Sequence, residues 1–266
     1  MHFIKLHGAG NDFVFLTGRK EGTKDGLPDQ ARALCARRTG VGADGLVITE
    51  LVSVDPAVLD IAVYNADGSV ASMCGNALRC AAWRAFQDHG LREMTLIMAG
   101  VKHQARVNRD SVSVTAELGP VEMRKVQAVW EGRPVWFDSA FTGTDHVVAV
   151  VRDIDTIDAV ALGRLVRNHP ELDPIGANVN FIQSAGRQQI KIRTYERGVE
   201  AETLSCGSGA VASVAIATRR GLVSAGKVTV HNRAGTPLVV RPCSKRDESA
   251  FWVSGPVTQV YEGELV

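Results

Sequence analysis

The chain has 266 residues, 45% hydrophobic and 22% charged, with a net charge of +1. That length allows one or two domains, and the apolar content suffices for a sizeable core. Near-neutrality gives no basic surface for nucleic acid or anionic lipid. The opening residues Met1 to Gly8 carry Lys5 and no long apolar run, so they do not read as a secretory signal. No apolar stretch reaches the ~18 residues that a membrane helix needs. Five cysteines, an odd number without a secretory signal, point to reduced thiols in the cytoplasm rather than a disulfide framework.

In chain order, β-like runs fall at Phe3–His7 and Phe13–Leu16, followed by a helix over Pro28–Arg38 that begins with proline and keeps helical apolar spacing. Strands are predicted at Leu46–Glu50 and Leu59–Tyr64, then a helix over Asn76–His89 that stops at Gly90. Strands at Thr95–Met98 and Ser111–Thr115 lead to a boundary near Gly119-Pro120. Beyond it come a strand at His146–Val150, a helix over Ile157–Asn168 ending before Pro170, and strands at Asn178–Gln183 and Gln189–Tyr195. A helix over Ser208–Arg220 stops at Gly221 and is apolar almost all round, which predicts burial. Strands at Lys227–Val230, Pro237–Arg241 and Ala250–Val253 follow.

The chain states one plan twice. Met73-Cys74-Gly75-Asn76-Ala77 and Ser205-Cys206-Gly207-Ser208-Gly209 are near-copies offset by 132 residues, each running into a helix. Gly10-Asn11-Asp12-Phe13-Val14 resembles Gly143-Thr144-Asp145-His146-Val147, offset by 133. Gly42-Ala43-Asp44-Gly45-Leu46-Val47-Ile48 resembles Gly176-Ala177-Asn178-Val179-Asn180-Phe181-Ile182, offset by 134, and Ala99-Gly100 resembles Ala234-Gly235, offset by 135. A domain-sized period excludes a solenoid and implies two homologous halves. The expected domains are residues 1–118 with Cys74 and 119–253 with Cys206; the sequence leaves open whether the last strand, at about 254–266, returns to the first.

A cysteine at a helix start lies near unpaired backbone N–H groups and the positive end of the helix dipole, which favours the thiolate. The same N–H groups bind a carboxylate. Two such sites brought together would place a sulfur on each face of one carbon, which inversion of a stereocentre requires: one thiolate base and one thiol acid. The plainer readings are a structural helix start, a disulfide formed on oxidation, or a metal site. A metal is disfavoured because zinc wants close Cys pairs with His, and no such cluster is present. Cys35, Cys80 and Cys243 read as small packed hydrophobes. Asn11, Asn65, Asn76 and Asn178 lie in Gly-rich turns, where turn chemistry alone accounts for any one of them. Together with Glu196-Arg197-Gly198 they suggest an amino-acid-sized ligand. Gly8-Ala9-Gly10 and Gly40-Val41-Gly42 fit no phosphate-loop or dinucleotide fingerprint, so no nucleotide is implied.

Five ordered phrases spanning nearly the whole chain resemble the diaminopimelate epimerase family. They are His7-Gly8-Ala9-Gly10-Asn11-Asp12-Phe13; Gly40-Val41-Gly42-Ala43-Asp44-Gly45; Asn65-Ala66-Asp67-Gly68-Ser69 leading to Met73-Cys74-Gly75-Asn76; Ala177-Asn178-Val179-Asn180-Phe181; and Tyr195-Glu196-Arg197-Gly198 leading to Cys206-Gly207-Ser208-Gly209. The resemblance implies an α/β chain of the α+β type, with two pseudo-symmetric domains, each a curled mixed sheet around a central helix. It implies Cys74 and Cys206 as the acid–base pair, assisted by Glu196 and His146. Substrate contacts would be Asn11, Asn65, Gly75, Asn76, Asn178, Glu196, Arg197, Gly207 and Ser208. It further implies no cofactor, no metal and a cytoplasmic homodimer serving lysine and peptidoglycan synthesis. The chain departs from the family in carrying Thr144-Asp145-His146 where Asn-Pro-His is common, Gly45 where some members have Gln, and one extra residue in Gly198–Thr203.

Alternatives are a two-cysteine racemase for proline or histidine, which the Asn set and the Glu-Arg phrase fit less well, and a redox-sensing or binding protein using a Cys74–Cys206 disulfide. Isomerases of the phenazine-pathway kind lack the cysteine pair.

Overall fold

The computed structural model describes residues 1–16, 26–244 and 249–265. The first half runs β1 (His2–Gly8), β2 (Asn11–Leu16), α1 (Leu27–Cys35), β3 (Gly45–Val54), β4 (Ala57–Asn65), α2 (Gly75–His89), β5 (Glu93–Met98), β6 (Val101–Val107) and β7 (Val112–Glu117). The second runs β8 (Val121–Trp130), β9 (Arg133–Phe141), β10 (Asp145–Val150), α3 (Ala159–Arg167), a short 3-10 turn (Pro170–Leu172), β11 (Asn178–Gly186), β12 (Gln189–Glu196), β13 (Ala201–Thr203), α4 (Gly207–Arg219), β14 (Val228–His231), β15 (Leu238–Pro242), β16 (Ala250–Gly255) and β17 (Val257–Glu264). Two compact units result: Met1–Val114 with Gly255–Val266, and Thr115–Ser254.

The internal duplication is visible in the ladders. In the first unit the strands neighbour one another as β17-β1-β2-β3-β4-β5-β6-β7, parallel at β2–β3 and β4–β5 and antiparallel elsewhere. In the second the order is β8-β9-β10-β11-β12-β14-β15-β16, parallel at β10–β11 and β12–β14. A parallel pair needs a crossover, and among the described residues each of the four crossovers carries one α-helix.

Successive strand residues point to opposite faces, so each sheet can serve two helices. On β2, Phe13 and Phe15 join the core around α2 (Leu78, Ala81, Ala82, Ala85), whereas Val14 and Leu16 join a second core with Leu27, Ala31 and Cys35 of α1. In the second unit Val147, Ala149, Val179 and Phe181 pack against Ala159, Leu162 and Val166 of α3. The alternate residues turn toward α4, where His146 reaches Ser208. Eleven residues of α4 are buried, as its apolar circumference requires, and it touches β9 to β12, β14 and β15. Each unit is thus a curled mixed sheet around one central helix, with a smaller helix outside.

All four predicted helices are present, with shifted ends. α1 stops at Cys35 rather than Arg38 because the chain folds back: Gly42 N–H donates to Leu34 O at 2.9 Å and Ala43 N–H to Cys35 O at 3.1 Å. α3 starts at Ala159 rather than Ile157 because Asp158 is its N-cap, accepting from Ala161 N–H at 2.9 Å. The twelve predicted strands are present, and β6, β8, β9 and β13 are additional. β6 shows outward Lys102, Gln104 and Arg106, so its charge masks the alternation. In β8 a register shift between Glu122 and Val126, with Arg124 at φ 53°, breaks the period-2 pattern. β17 is exposed along most of its length and pairs with β1.

Matching glycines of the repeat take the same left-handed backbone: Gly42 and Gly176 have φ 77° and 68°, Gly100 and Gly235 have φ 80° and 72°. At Gly176 a Cβ would also collide with the Arg167 carbonyl oxygen, whereas at Gly235 the space is open. Gly235→Ala is therefore expected to cost about 1 kcal/mol from backbone strain alone. Gly176→Ala should cost more than about 2 kcal/mol, because main chain must move as well. Urea unfolding of both variants checks this; equal losses would contradict the steric account.

Candidate active site

In the first unit, Cys74 is the N-cap of α2 in extended conformation (φ −147°, ψ 96°), and Gly75 and Asn76 open the helix. The N–H groups of a first helical turn have no partner inside the helix. Asn76 Nδ2 donates to Asn11 Oδ1 at 3.1 Å, and Cys74 Sγ lies 3.9 Å from the same oxygen. Asn11 is oriented by donating its own Nδ2 to Asp44 Oδ2 at 2.7 Å. Asp44 belongs to an ionic cluster: Arg37 forks Asp12 at 3.0 and 3.1 Å and reaches Asp44 at 2.7 Å, and Lys5 sits 2.9 Å from Asp12. Burial opposes ionisation of Asp12, but hydrogen bonds from Arg37 and Lys5 outweigh it and hold its pKa below the ordinary carboxylate value. Asn65 ends β4 in a tight turn, its Nδ2 donating to Ser69 Oγ at 2.9 Å. Gly45 pairs with Asn65, and a Cβ there would lie 2.8 Å from Tyr64 O, so this register of β3 on β4 leaves no room for a side chain.

In the second unit, Cys206 is the N-cap of α4 with nearly the same backbone (φ −126°, ψ 114°). Its Sγ accepts from Gly209 N–H at 3.4 Å and lies 3.4 Å from Ser208 Oγ. A chain of buried polar groups fixes the hydrogens here. Asn180 Nδ2 donates to Val147 O at 3.1 Å, and that carbonyl can only accept, so the amide orientation is set. The same Nδ2 lies 3.2 Å from His146 Nδ1, whereas Asn178 Nδ2 lies 3.5 Å from Nε2; a neutral imidazole accepts at one nitrogen only, and the shorter contact assigns the acceptor to Nδ1 and the proton to Nε2. Nε2 lies 3.0 Å from Ser208 Oγ and donates to it, which frees the Ser208 hydroxyl hydrogen for the Cys206 sulfur. Two donors facing one sulfur favour its thiolate. Gly209 has no side chain where a Cβ would lie 2.5 Å from Asn180 Oδ1 and 3.3 Å from Cys206 Sγ.

Asn178 and Arg197 extend this cluster. Arg197 N–H donates to Asn178 Oδ1 at 2.8 Å, and its guanidinium donates to Gly176 O at 3.2 Å and Thr144 Oγ1 at 2.8 Å. Thr144, where the family commonly has Asn, therefore holds the arginine. Glu196 is the half-buried last residue of β12, paired with Ala201 of β13.

The structure thus joins Asn11, Cys74, Gly75 and Asn76 at one helix start, with Asn65 in a neighbouring turn held by Ser69, and His146, Asn178, Arg197, Cys206, Gly207 and Ser208 at the other. Asn180 and Thr194 were not singled out from sequence as site residues, and Thr144 was noted only as a departure from the family pattern. Thr194 Oγ1 donates to Asn180 Oδ1 at 2.9 Å. A signal for Asn180 exists: Asn178 and Asn180 put two amides on one face of an otherwise apolar strand. Burial pushes the Cys80 thiol up, and burial followed by the Asp12 charge pushes Cys35 up to about 11, so both stay protonated at neutral pH.

Burial, then the nearby Arg197 charge, lowers the His146 pKa to about 3 from an ordinary value of 6.5. The folded chain therefore holds His146 neutral, and the unfolded chain binds one more proton between those values. Stability from this group is complete above about pH 6.5 and is lost as pH falls toward 3, at up to about 1.4 kcal/mol per pH unit. Urea unfolding from pH 7 to pH 4 should show His146→Gln with a shallower fall than wild type. Identical slopes would contradict a buried neutral histidine.

Residues 3–124 and 139–251 match the family described as diaminopimelate epimerase. Curated relatives include the diaminopimelate epimerases of Aquifex aeolicus (strain VF5), 37% identical over 100% of this chain and 98% of that protein, and of Chlorobaculum tepidum, 36% identical over 98% and 99%. Among solved structures, a hydroxyproline epimerase from Agrobacterium vitis with bound trans-4-hydroxy-L-proline superposes with a TM-score of 0.70 at 17% identity, covering 99% of this chain and 91% of that one. A phenazine biosynthesis protein from Enterococcus faecalis gives 0.74 at 12% identity, covering 100% and 98%. The latter two share the fold. On the full-length match to its curated relatives, the chain is an isomerase and belongs to the diaminopimelate epimerase family.

Proposed function

We propose that this protein interconverts LL- and meso-2,6-diaminopimelate without a cofactor, with Cys74 and Cys206 as thiolate base and thiol acid that exchange roles with reaction direction. The observation that carries the reading is the twin placement of a cysteine at the extended N-cap of the buried central helix in each unit. The names of the relatives supply the substrate.

The chemistry follows from the groups present. Removing an α-hydrogen leaves negative charge that spreads onto the substrate carboxylate. Backbone N–H groups of Gly75, Asn76, Gly207 and Ser208 at helix starts are preoriented donors for that charge. Asn11, Asn65, Asn178, Glu196 and Arg197 bind the remaining polar groups, Arg197 as a carboxylate partner fixed by Thr144 and Gly176. His146 is neutral at working pH, so its part is to aim Ser208 at Cys206 rather than to deliver a proton as imidazolium. The proposal includes a cytoplasmic homodimer that needs no pyridoxal phosphate and serves lysine synthesis.

A second reading, racemisation of another amino acid, is favoured by the fold shared with a hydroxyproline epimerase. Incubation of reduced enzyme in D2O with LL-diaminopimelate, proline or histidine separates the two. Deuterium at the α-carbon of diaminopimelate alone supports the proposal, exchange into proline alone rejects the substrate, and no exchange into any rejects the racemase class. Cys74→Ser and Cys206→Ser should each lower kcat by about 10²- to 10⁴-fold, the usual worth of one acid or base, with unchanged unfolding midpoints. Wild-type turnover in either variant would remove that thiol from the mechanism.

A further inference from the structure

Arg79, on the second turn of α2, is wholly buried. Among the described residues its guanidinium meets no carboxylate: Nη2 donates to Asn76 Oδ1 at 2.6 Å, Nη1 to Gly75 O at 3.4 Å, and Nε has no partner. A buried cation without a counter-ion is unfavourable, and arginine does not escape by losing its proton. Among the described residues, the ionisable groups near enough to interact with its charge are Cys80 and Cys74. Cys80 is locked as a thiol by burial. From the strands packed on α2, β6 presents His103 in the inward row with Ala105 and Val107, while β1, β3, β4, β5 and β17 contribute apolar side chains to the core around the helix. Cys74 remains as the anion that can face this charge. Gly8 makes the arrangement possible, since a Cβ there would lie 3.3 Å from Arg79 Nη2 and 3.2 Å from Asn76 O.

The second unit has no such cation on its helix. The residue offset by the same 132 positions is Val211, and Cys206 relies instead on Gly209 N–H and Ser208.

We propose that Arg79 is the counter-charge of the Cys74 thiolate, a positioning residue that lets this thiol ionise near neutral pH while holding Asn76 against Asn11. The inference deepens the two-thiol reading above and rests on it. Its test is the pH dependence of iodoacetamide alkylation, scored separately at Cys74 and Cys206 by peptide mass spectrometry, in the full chain and in Arg79→Met and Arg79→Lys. Midpoints are compared, because absolute rates also reflect access. Arg79→Met should raise the Cys74 midpoint by about one pH unit or more, the usual effect of losing a close opposite charge. It should leave Cys206 unmoved, and Arg79→Lys should restore most of the difference. An unchanged Cys74 midpoint in folded Arg79→Met would show that Arg79 only braces the helix start. If that variant does not fold, a wild-type Cys74 midpoint at the ordinary thiol value of about 8.5 overturns the proposal equally. No substrate enters this measurement, so its outcome is independent of the deuterium-exchange result.

Discussion

The structure depends on burying the positive end of a helix. A helix start exposes N–H groups that have no partner in the helix, and inside a protein those groups require an acceptor or an anion. Both α2 and α4 place this end inside a unit, and both set a cysteine at the N-cap with extended backbone. The curled sheet follows from the same arrangement. A helix buried nearly all round needs strands on most sides, and each sheet supplies them by wrapping, with its parallel crossovers carrying the helices. A buried helix start in each unit, with its donors facing inward, is therefore a consequence of the architecture rather than an addition to it.

The two copies have diverged in how they serve their sulfur. Around Cys74 the supporting groups are charged: Arg79 lies beneath the helix start, and Asn11 is held by Asp44 within the Lys5–Asp12–Arg37 cluster. Around Cys206 they are neutral and directional: the fixed amide of Asn180 sets the His146 tautomer, His146 aims Ser208, and Ser208 faces the sulfur. A long-range charge acts across low-dielectric interior with little geometric demand, whereas a hydrogen-bond relay depends on the placement of every member. One fold thus offers two physical routes to an ionisable thiol, and the proposed reversible proton transfer requires a thiol at each end that can carry the charge.

Much of this was legible in the sequence because the repeat constrains it. The paired phrases around Cys74 and Cys206, with the twin glycines at Gly42 and Gly176, marked two homologous halves, and both glycines take the left-handed backbone. Helix existence was clear from apolar spacing and from the stops at Gly90 and Gly221. Helix ends were less clear, because a fold-back loop after Cys35 and the cap at Asp158 act through hydrogen bonds that spacing does not encode. Strands β6 and β8 were hidden by charged outward faces and a bulge. The contiguous phrases around Cys74 and Cys206 lie at the two helix starts, but the groups that brace them were not legible from spacing. Nothing in the spacing sets Arg79 apart from other helix charges, and its total burial appears only when Gly8 of β1 is brought against it. Asn180 shares a strand face with Asn178, but its role exists only through His146 and Thr194, which come from other strands.

The central claim is that two thiols, not one, handle the proton. The most direct measurement follows the first turnovers of unlabelled LL-diaminopimelate in D2O by NMR or mass spectrometry, scoring deuterium separately in product and in recovered substrate. With two bases, the group that takes hydrogen from substrate is not the group that delivers to product. Early meso product should then carry one deuterium at the inverted carbon, while remaining LL substrate is unlabelled. Early product that retains the original hydrogen, or deuterium entering LL substrate as fast as product forms, would mean that one group serves both faces, and the two-thiol account would fail.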